Sequence, residues 1–271
     1  MMQNRAHFPR TDRLSLVTAS IVMGYSLLPF VNVPPRQVSF SLFGVVLSFN
    51  INFSNVISLI TSGIAAAGMD WILMEGGEKT FRENFPHLIL PALTAGSIGI
   101  PLGIIATSLD WWVILGLGSI LVLLTLIGEY ISTDTRHPYF PIALMLLTAL
   151  SFGLFLITAI TIRTANLRLF LTASILPLVY AFFGVRVMQL RMGGVWPLKW
   201  TLLVALVIGQ VTIALYYWPL SPIRFGLLLL APAYALIGIA SSLEENTSFE
   251  GIFLEPFVVM GLLILLAIFI R

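Results

Sequence analysis

Nine long apolar runs dominate the 271-residue sequence and constrain its fold more than any other feature. Each run approaches the roughly 20 apolar residues that a helix needs to cross the hydrocarbon core of a bilayer. Backbone groups in lipid must be hydrogen-bonded within their own segment, so the runs are predicted to be helices. They lie at about residues 14–33, 53–74, 87–108, 111–131, 139–162, 167–186, 199–218, 222–242 and 251–270.

The shortage of charge leads to the same conclusion. Only 10% of the residues are charged, 58% are hydrophobic, and the mean hydropathy is +1.00. A water-soluble domain usually carries about 25% charged residues, so this chain could not cover a surface that faces water. We therefore predict an all-α integral membrane protein, a polytopic bundle of about nine transmembrane helices that form a single transmembrane domain over residues 1–271. The sequence leaves open whether the helices number eight or nine, and hence on which side the C-terminus lies.

Lysine and arginine residues predict the orientation of the chain. With a cytoplasmic N-terminus and nine crossings, nine of the 14 lysines and arginines lie on the cytoplasmic side and five on the other. Residues 1–13 then form a cytoplasmic tail. The first run is interpreted as a retained helix, because it is long enough to span and ends at Pro34-Pro35 without a small-residue cleavage site. The expected location is the cell membrane, with multiple crossings.

One segment departs from the helical pattern. From Val38 to Phe53 apolar and polar residues largely alternate, and Gly44 lies in the middle. A period of two around a central glycine predicts an amphipathic β-hairpin over residues 37–53. Because an open sheet edge cannot lie in hydrocarbon, we place the hairpin at the extracytoplasmic face, with its apolar side toward the membrane. The alternative interpretation is a re-entrant or irregular loop.

Several classes of function find no support in the sequence. The chain has no cysteine, which excludes disulfides and thiolate chemistry by its own residues. His7, His87 and His137 are far apart and show no metal-binding spacing, so we predict no metal site and no cofactor. The net charge of +2 is spread along the chain and does not favour nucleic-acid binding. The expected partners are the lipid bilayer and either other membrane subunits or a second copy of the chain.

A few polar residues within or beside the apolar runs are the candidates for a site. Asp70, Glu129 and Glu255 lie near run ends that face the cytoplasm in the predicted topology, and Arg186 ends the sixth run. Acids in a membrane are costly and tend to be functional, so this group could hold a cation, a proton or a polar headgroup. The structural alternative is that the acids and the arginine form ion pairs that link the ends of neighbouring helices. Gln210, within the seventh run, is a second candidate, although one interhelical hydrogen bond would explain it equally well.

Two short segments, in and after the second apolar run, resemble a known protein family. The segments Ala67-Gly68-Met69-Asp70-Trp71 and Leu90-Pro91-Ala92-Leu93-Thr94-Ala95 resemble an uncharacterised family of bacterial multi-pass membrane proteins that we associate with the Chloroflexota. The resemblance implies a membrane location and a bacterial origin. It implies no activity, and no catalytic residues follow from it.

These observations favour a protein that is not an enzyme, either a transporter-like bundle or a subunit of a membrane complex. The transporter hypothesis predicts a cavity that reaches Asp70, Glu129 or Gln210. The alternative is a membrane enzyme that acts on a lipid-linked substrate. It would require His87 or His137 to meet an acid and an arginine at a shared pocket, because catalytic groups must lie within hydrogen-bond reach of the substrate.

Overall fold

The structure, a computed structural model, describes residues 9–31, 33–42, 45–74, 81–105, 107–192, 197–244 and 249–270. Within these ranges the chain forms nine α-helices, and a single 3₁₀ turn follows the first of them. The helices are α1 Thr11–Ser26, α2 Phe53–Leu73, α3 Phe81–Leu102, α4 Leu109–Ile131, α5 Phe140–Thr164, α6 Leu169–Arg191, α7 Leu198–Tyr216, α8 Pro222–Glu244 and α9 Phe249–Phe269.

The helices have the length and composition of membrane spans. Among the described residues, eight helical segments, from Thr11–Phe30 to Pro222–Glu244, are long and apolar enough to cross a bilayer. The apolar part of α9 that the structure describes, Phe253–Phe269, is shorter. The predicted helical fold is therefore confirmed, and its eight long apolar helices fit a multi-pass membrane protein, whereas the number of nine crossings depends on α9 and stays a prediction.

Two strands lie between α1 and α2 in the chain. β1 (Arg36–Leu42) and β2 (Val45–Ile51) pair in antiparallel register, with Arg36 opposite Ile51 and Leu42 opposite Val45. Residues 43–44, which include the glycine at the predicted turn, lie outside the described residues. The two-faced character of this segment and its place at the outer membrane surface stay predictions.

The helices group into two compact units, which we call unit 1 and unit 2. Unit 1 ends at Phe140 and holds α1 to α4, while unit 2 begins at Pro141 and holds the remaining helices. In unit 1, α2 and α4 both pack against α1 and α3. In unit 2, α8 packs against α6, α7 and α9, and α5 contacts α8 where the rings of Phe152 and Tyr234 lie 5.2 Å apart. The single transmembrane domain over 1–271 stays a prediction.

Small residues allow the helices of unit 1 to approach closely. A Cβ atom added at Gly68 of α2 would lie 2.5 Å from the side chain of Val17 on α1. On α3, the carbonyl of Gly99 accepts a hydrogen bond of 2.9 Å from Ser54 Oγ on α2. Close approach through small residues is a common way to hold helices together in lipid, where no hydrophobic force acts between them.

Buried polar groups in unit 1 are hydrogen-bonded between helices. The hydroxyl of Tyr25 on α1 is fully buried and donates to the carbonyl of Ala95 on α3 at 2.6 Å. It also accepts a hydrogen bond of 3.0 Å from Thr61 Oγ1 on α2. These bonds tie three helices together and avoid the cost of an unpaired polar group in an apolar surrounding.

Arginines donate hydrogen bonds to backbone carbonyl groups near one end of unit 2. Arg163, near the end of α5, donates to the carbonyl of Tyr216, the last residue of α7, and to that of Trp218 just beyond it, both at 3.0 Å. Arg224 of α8 donates through Nε to the carbonyl of Ile270 at 2.6 Å. The last carbonyls of a helix have no partner within it and carry partial negative charge, so the arginines stabilise these ends.

Candidate functional site

Two of the predicted acids find partners on the same face of α3. Asp70 lies near the end of α2, and its Oδ1 accepts a hydrogen bond of 2.9 Å from Asn84 Nδ2. Glu129 lies near the end of α4, and its Oε2 is 2.9 Å from His87 Nδ1. Asn84 and His87 are three residues apart on α3, so they lie on one side of that helix. With Ser132, these four residues form what we call the unit 1 polar cluster.

The pair at the centre of the unit 1 polar cluster is withdrawn from solvent. The side chain of Glu129 is 0% exposed and that of His87 is 16% exposed. Ser132 Oγ donates to the backbone carbonyl of Glu129 at 2.8 Å and lies 3.3 Å from its Oε2. Removing one partner of such a buried pair lowers the stability of the fold, because the other partner is left without a hydrogen bond in an apolar surrounding. The arrangement therefore joins the ends of α3 and α4.

The geometry of this cluster does not fit an activated serine. Ser132 Oγ is 3.3 Å from Nδ1 of His87, the same ring nitrogen that contacts Glu129. In a relay of serine, histidine and acid, the serine and the acid contact different ring nitrogens, so that the ring can pass a proton between them. The contacts of His87 therefore support a structural role for the pair.

Arg186 and Gln210 have different surroundings. Arg186 of α6 is only 2% exposed, and its Nη1 donates to Gln189 Oε1 at 3.1 Å. Gln210 is exposed on the outward side of α7. Neither residue lines the cavity described below. The convergence of Arg186 with the predicted acids stays a prediction.

Unit 2 contains an open cavity of about 580 Å³, which we call the unit 2 cavity. Its volume lies within the range of about 300–1,000 Å³ that is usual for small-molecule sites. One wall is mainly apolar and comes from α5, with Leu144, Met145, Ala149 and Phe152 beside the single hydroxyl of Thr148. The polar wall comes from α6, α8 and α9, with Arg191, Tyr234, Ser241, Ser242 and Glu255.

Tyr234 contacts both charged residues of the unit 2 cavity. Its hydroxyl donates to Glu255 Oε1 at 3.1 Å, while the guanidinium carbon of Arg191 lies 5.6 Å from the centre of its ring. Neither Arg191 nor Glu255 forms an ion pair with any residue that the structure describes. The cavity thus presents a cation and an anion that both contact one aromatic side chain.

Sequence reasoning missed part of each site. Glu255 was a candidate, but Arg191 and Tyr234 were not, because no spacing along the chain links α6, α8 and α9. Asn84 was also missed, although the spacing of three residues from His87 places both on one helix face and was readable. Which acids these two residues contact depends on the packing of α2 and α4 against α3.

Comparison with known proteins gives a family but no activity. No curated protein and no solved structure matches the chain. The profile of the family described as "Protein of unknown function (DUF5656)" matches residues 33–270. This confirms the predicted resemblance to an uncharacterised family, whereas bacterial origin and the link to the Chloroflexota stay predictions. The chain belongs to the DUF5656 family of proteins of unknown function.

Proposed function

We propose that this protein is a transporter-like membrane protein, not an enzyme, which takes an amphiphilic molecule from the membrane into the unit 2 cavity. The observation that carries the proposal is the division of this cavity into an apolar wall on α5 and a charged wall that includes Arg191 and Glu255. In the same proposal the chain crosses the cell membrane nine times with its N-terminus in the cytoplasm.

The positions of the lining residues along their helices suit an amphiphile. Arg191 is the last residue of α6, and Ser242 is two residues before the end of α8. Phe152, on the apolar wall, is 12 residues beyond the start of α5, which corresponds to about 18 Å along a helix. A polar head would lie beside Tyr234 among the polar residues of α6, α8 and α9, and a tail would follow the apolar side chains of α5.

The apolar wall is accessible from the outer surface of unit 2. Met145 is 71% exposed, and Ala149 is also exposed. In a bilayer these side chains face acyl chains, so a lipid could enter sideways without first passing through water. With a cytoplasmic N-terminus, the cavity would open to the inner leaflet. The transporter hypothesis therefore centres on Glu255 and not, as the sequence suggested, on Asp70, Glu129 or Gln210.

The test uses a phospholipid that carries a photoreactive diazirine on its acyl chain, added to the full-length protein in detergent micelles. We expect saturable labelling of α5 and α9 that an excess of unlabelled lipid prevents. Ala149→Phe should fill the apolar wall and reduce this labelling at least tenfold. Ala214→Phe, which changes an exposed alanine of α7 outside the cavity, is the matched control.

Two results would contradict the proposal. The first is labelling that cannot be saturated, spreads over every exposed helix and is equal in the two variants. The second is chemical conversion of the lipid during incubation, which would favour the alternative of an enzyme that acts on a lipid-linked substrate, with Glu255 as its acid.

A second candidate function, a subunit of a membrane complex or of a homo-oligomer, has one observation in its favour. Gln210 is exposed 12 residues into α7, about 18 Å from the start of that helix and surrounded by apolar residues. A side-chain amide that faces lipid gains by bonding to another helix. Native mass spectrometry would show Gln210→Leu reducing the oligomer, whereas Gln37→Leu, at an exposed position in β1, would not. A wild-type protein that is entirely monomeric would contradict this candidate.

A further inference from the structure

We infer that the molecule in the unit 2 cavity has a headgroup with both a phosphate and a primary ammonium group, as in a phospholipid with an ethanolamine headgroup. The inference rests on the proposed function, because it names the class of amphiphile that the cavity takes. It is carried by the contacts of Arg191 and Glu255 with one side chain, that of Tyr234, within one cavity.

Arg191 is suited to the phosphate. A guanidinium group presents a planar set of N–H donors that matches two oxygens of a phosphate at once. The ring of Tyr234 lies against the guanidinium at 5.6 Å, and no described carboxylate pairs with its N–H groups. Position 238 of α8 is a glycine because Pro256 of α9 packs there, 2.8 Å from where a Cβ atom would lie.

Glu255 is suited to the ammonium. Its carboxylate accepts one hydrogen bond from the Tyr234 hydroxyl, and a carboxylate has about four acceptor positions in total. The side chain is exposed within the open cavity, so the remaining positions can be reached. An ammonium group with three N–H donors can fill them.

The aromatic rings favour a primary ammonium over a quaternary one. Quaternary ammonium groups are recognised by the free faces of several aromatic rings. Arg191 already lies over the ring of Tyr234, and the ring of Phe152 lies 5.2 Å from it at an angle of 50°. The described cavity therefore offers a hydrogen-bonding carboxylate in place of an aromatic cage.

Opposite charges in a single cavity also exclude simpler headgroups. An anionic headgroup without an amine would place its charge near Glu255, where like charges repel. A headgroup without phosphate would leave Arg191 without an anion. Arg191 and Glu255 both contact Tyr234 and form no ion pair with each other. A zwitterionic headgroup matches both charges together.

The experiment measures binding of lipids with identical acyl chains to the full-length protein in detergent by native mass spectrometry. The four lipids are phosphatidylethanolamine, phosphatidylcholine, phosphatidylglycerol and diacylglycerol. We expect phosphatidylethanolamine to bind at least tenfold more tightly than each of the others. Arg191→Gln should reduce binding of all three phospholipids toward the level of diacylglycerol. Glu255→Gln should remove the preference for phosphatidylethanolamine over phosphatidylglycerol.

Matched controls separate these effects from general damage. Arg168→Gln changes an exposed arginine before α6, and Glu244→Gln changes an exposed acid at the end of α8. Neither should alter the order of lipid affinities. Thermal unfolding of every variant shows whether it is folded. Soluble phosphoethanolamine, which has the same charges without a tail, should compete at least tenfold more weakly than the lipid.

The outcomes distinguish this inference from the proposed function. Equal saturable binding of all four lipids that Ala149→Phe still abolishes would overturn the headgroup assignment and leave the amphiphile site standing. Tighter binding of phosphatidylglycerol, or an unchanged preference in Glu255→Gln, would also overturn it. No saturable binding of any lipid would overturn both proposals. Equal competition by soluble phosphoethanolamine would overturn the assignment of the ligand to the membrane.

Discussion

Glu129 of unit 1 and Glu255 of unit 2 are acids near helix ends in apolar segments, yet their surroundings are opposite. Glu129 is 0% exposed and contacts His87, whereas Glu255 is exposed in an open cavity and accepts one hydrogen bond from Tyr234. The first has its partner within the protein, and the second has space for an external one. An acid near the end of a membrane helix therefore does not by itself indicate function. Its burial and its partners determine whether it can bind an external ligand.

The difference follows from the helix that carries each acid. Glu129 continues the buried side of α4, which includes Val122, Thr125 and Leu126 at helical spacing. That side packs into unit 1, so the carboxylate must be satisfied there. The described residues of α9 around Glu255 are mostly exposed, and α9 packs chiefly on α8. The acid on α9 can therefore face a cavity.

The largest effect should come from breaking the buried pair of unit 1. His87→Leu removes a partner of the fully buried Glu129, and we expect a loss of about 3–5 kcal/mol in the free energy of unfolding. This loss in stability is measured by thermal unfolding in detergent, with tryptophan fluorescence as the probe. The double variant His87→Leu/Glu129→Leu should regain much of that loss, because replacing both partners by apolar side chains leaves no buried polar group without a partner. A single variant as stable as the wild type would contradict the assignment of the pair as structural.

A smaller loss should follow from widening the close contact between α1 and α2. Gly68→Ala adds a Cβ atom 2.5 Å from Val17, and overpacking of this kind costs about 1–3 kcal/mol. Gly63→Ala on the same helix has no atom within 4 Å of the new Cβ and should be neutral or stabilising, since alanine favours helices over glycine by about 1 kcal/mol. The same unfolding measurement applies. Equal stability of the two variants would show that α1 and α2 do not pack closely at Gly68.

The smallest effect on stability should come from the charged residues of the unit 2 cavity. Arg191→Gln and Glu255→Gln alter groups that have no ion-pair partner among the described residues, so we expect changes within about 0.5 kcal/mol. Their effect should appear in lipid binding instead. A loss comparable to that of His87→Leu would show that these charges hold the fold together, and the contrast between the two units would disappear.

Much of the fold was predictable because it depends on local composition. The long apolar runs led to helices close to the observed bounds, and the alternation after residue 37 led to the predicted amphipathic hairpin, whose two-faced character stays a prediction although β1 and β2 pair there. Both signals depend only on neighbouring residues in the chain. The candidate site was less predictable. Glu129 and Glu255 were identified as acids in apolar segments, but the sequence could not distinguish a buried acid from an exposed one.

The sequence by itself determined that the long apolar runs form helices suited to a bilayer. A backbone in hydrocarbon must form its hydrogen bonds within its own segment, and the chain has too few charged residues to cover a surface that faces water. Only the tertiary structure decided that His87 lies beside Glu129 and that Tyr234 contacts both Arg191 and Glu255. The physical reason is the separation along the chain over which each interaction acts. Helix formation responds to residues a turn apart, whereas Arg191, Tyr234 and Glu255 come from three different helices, whose packing alone brings them together.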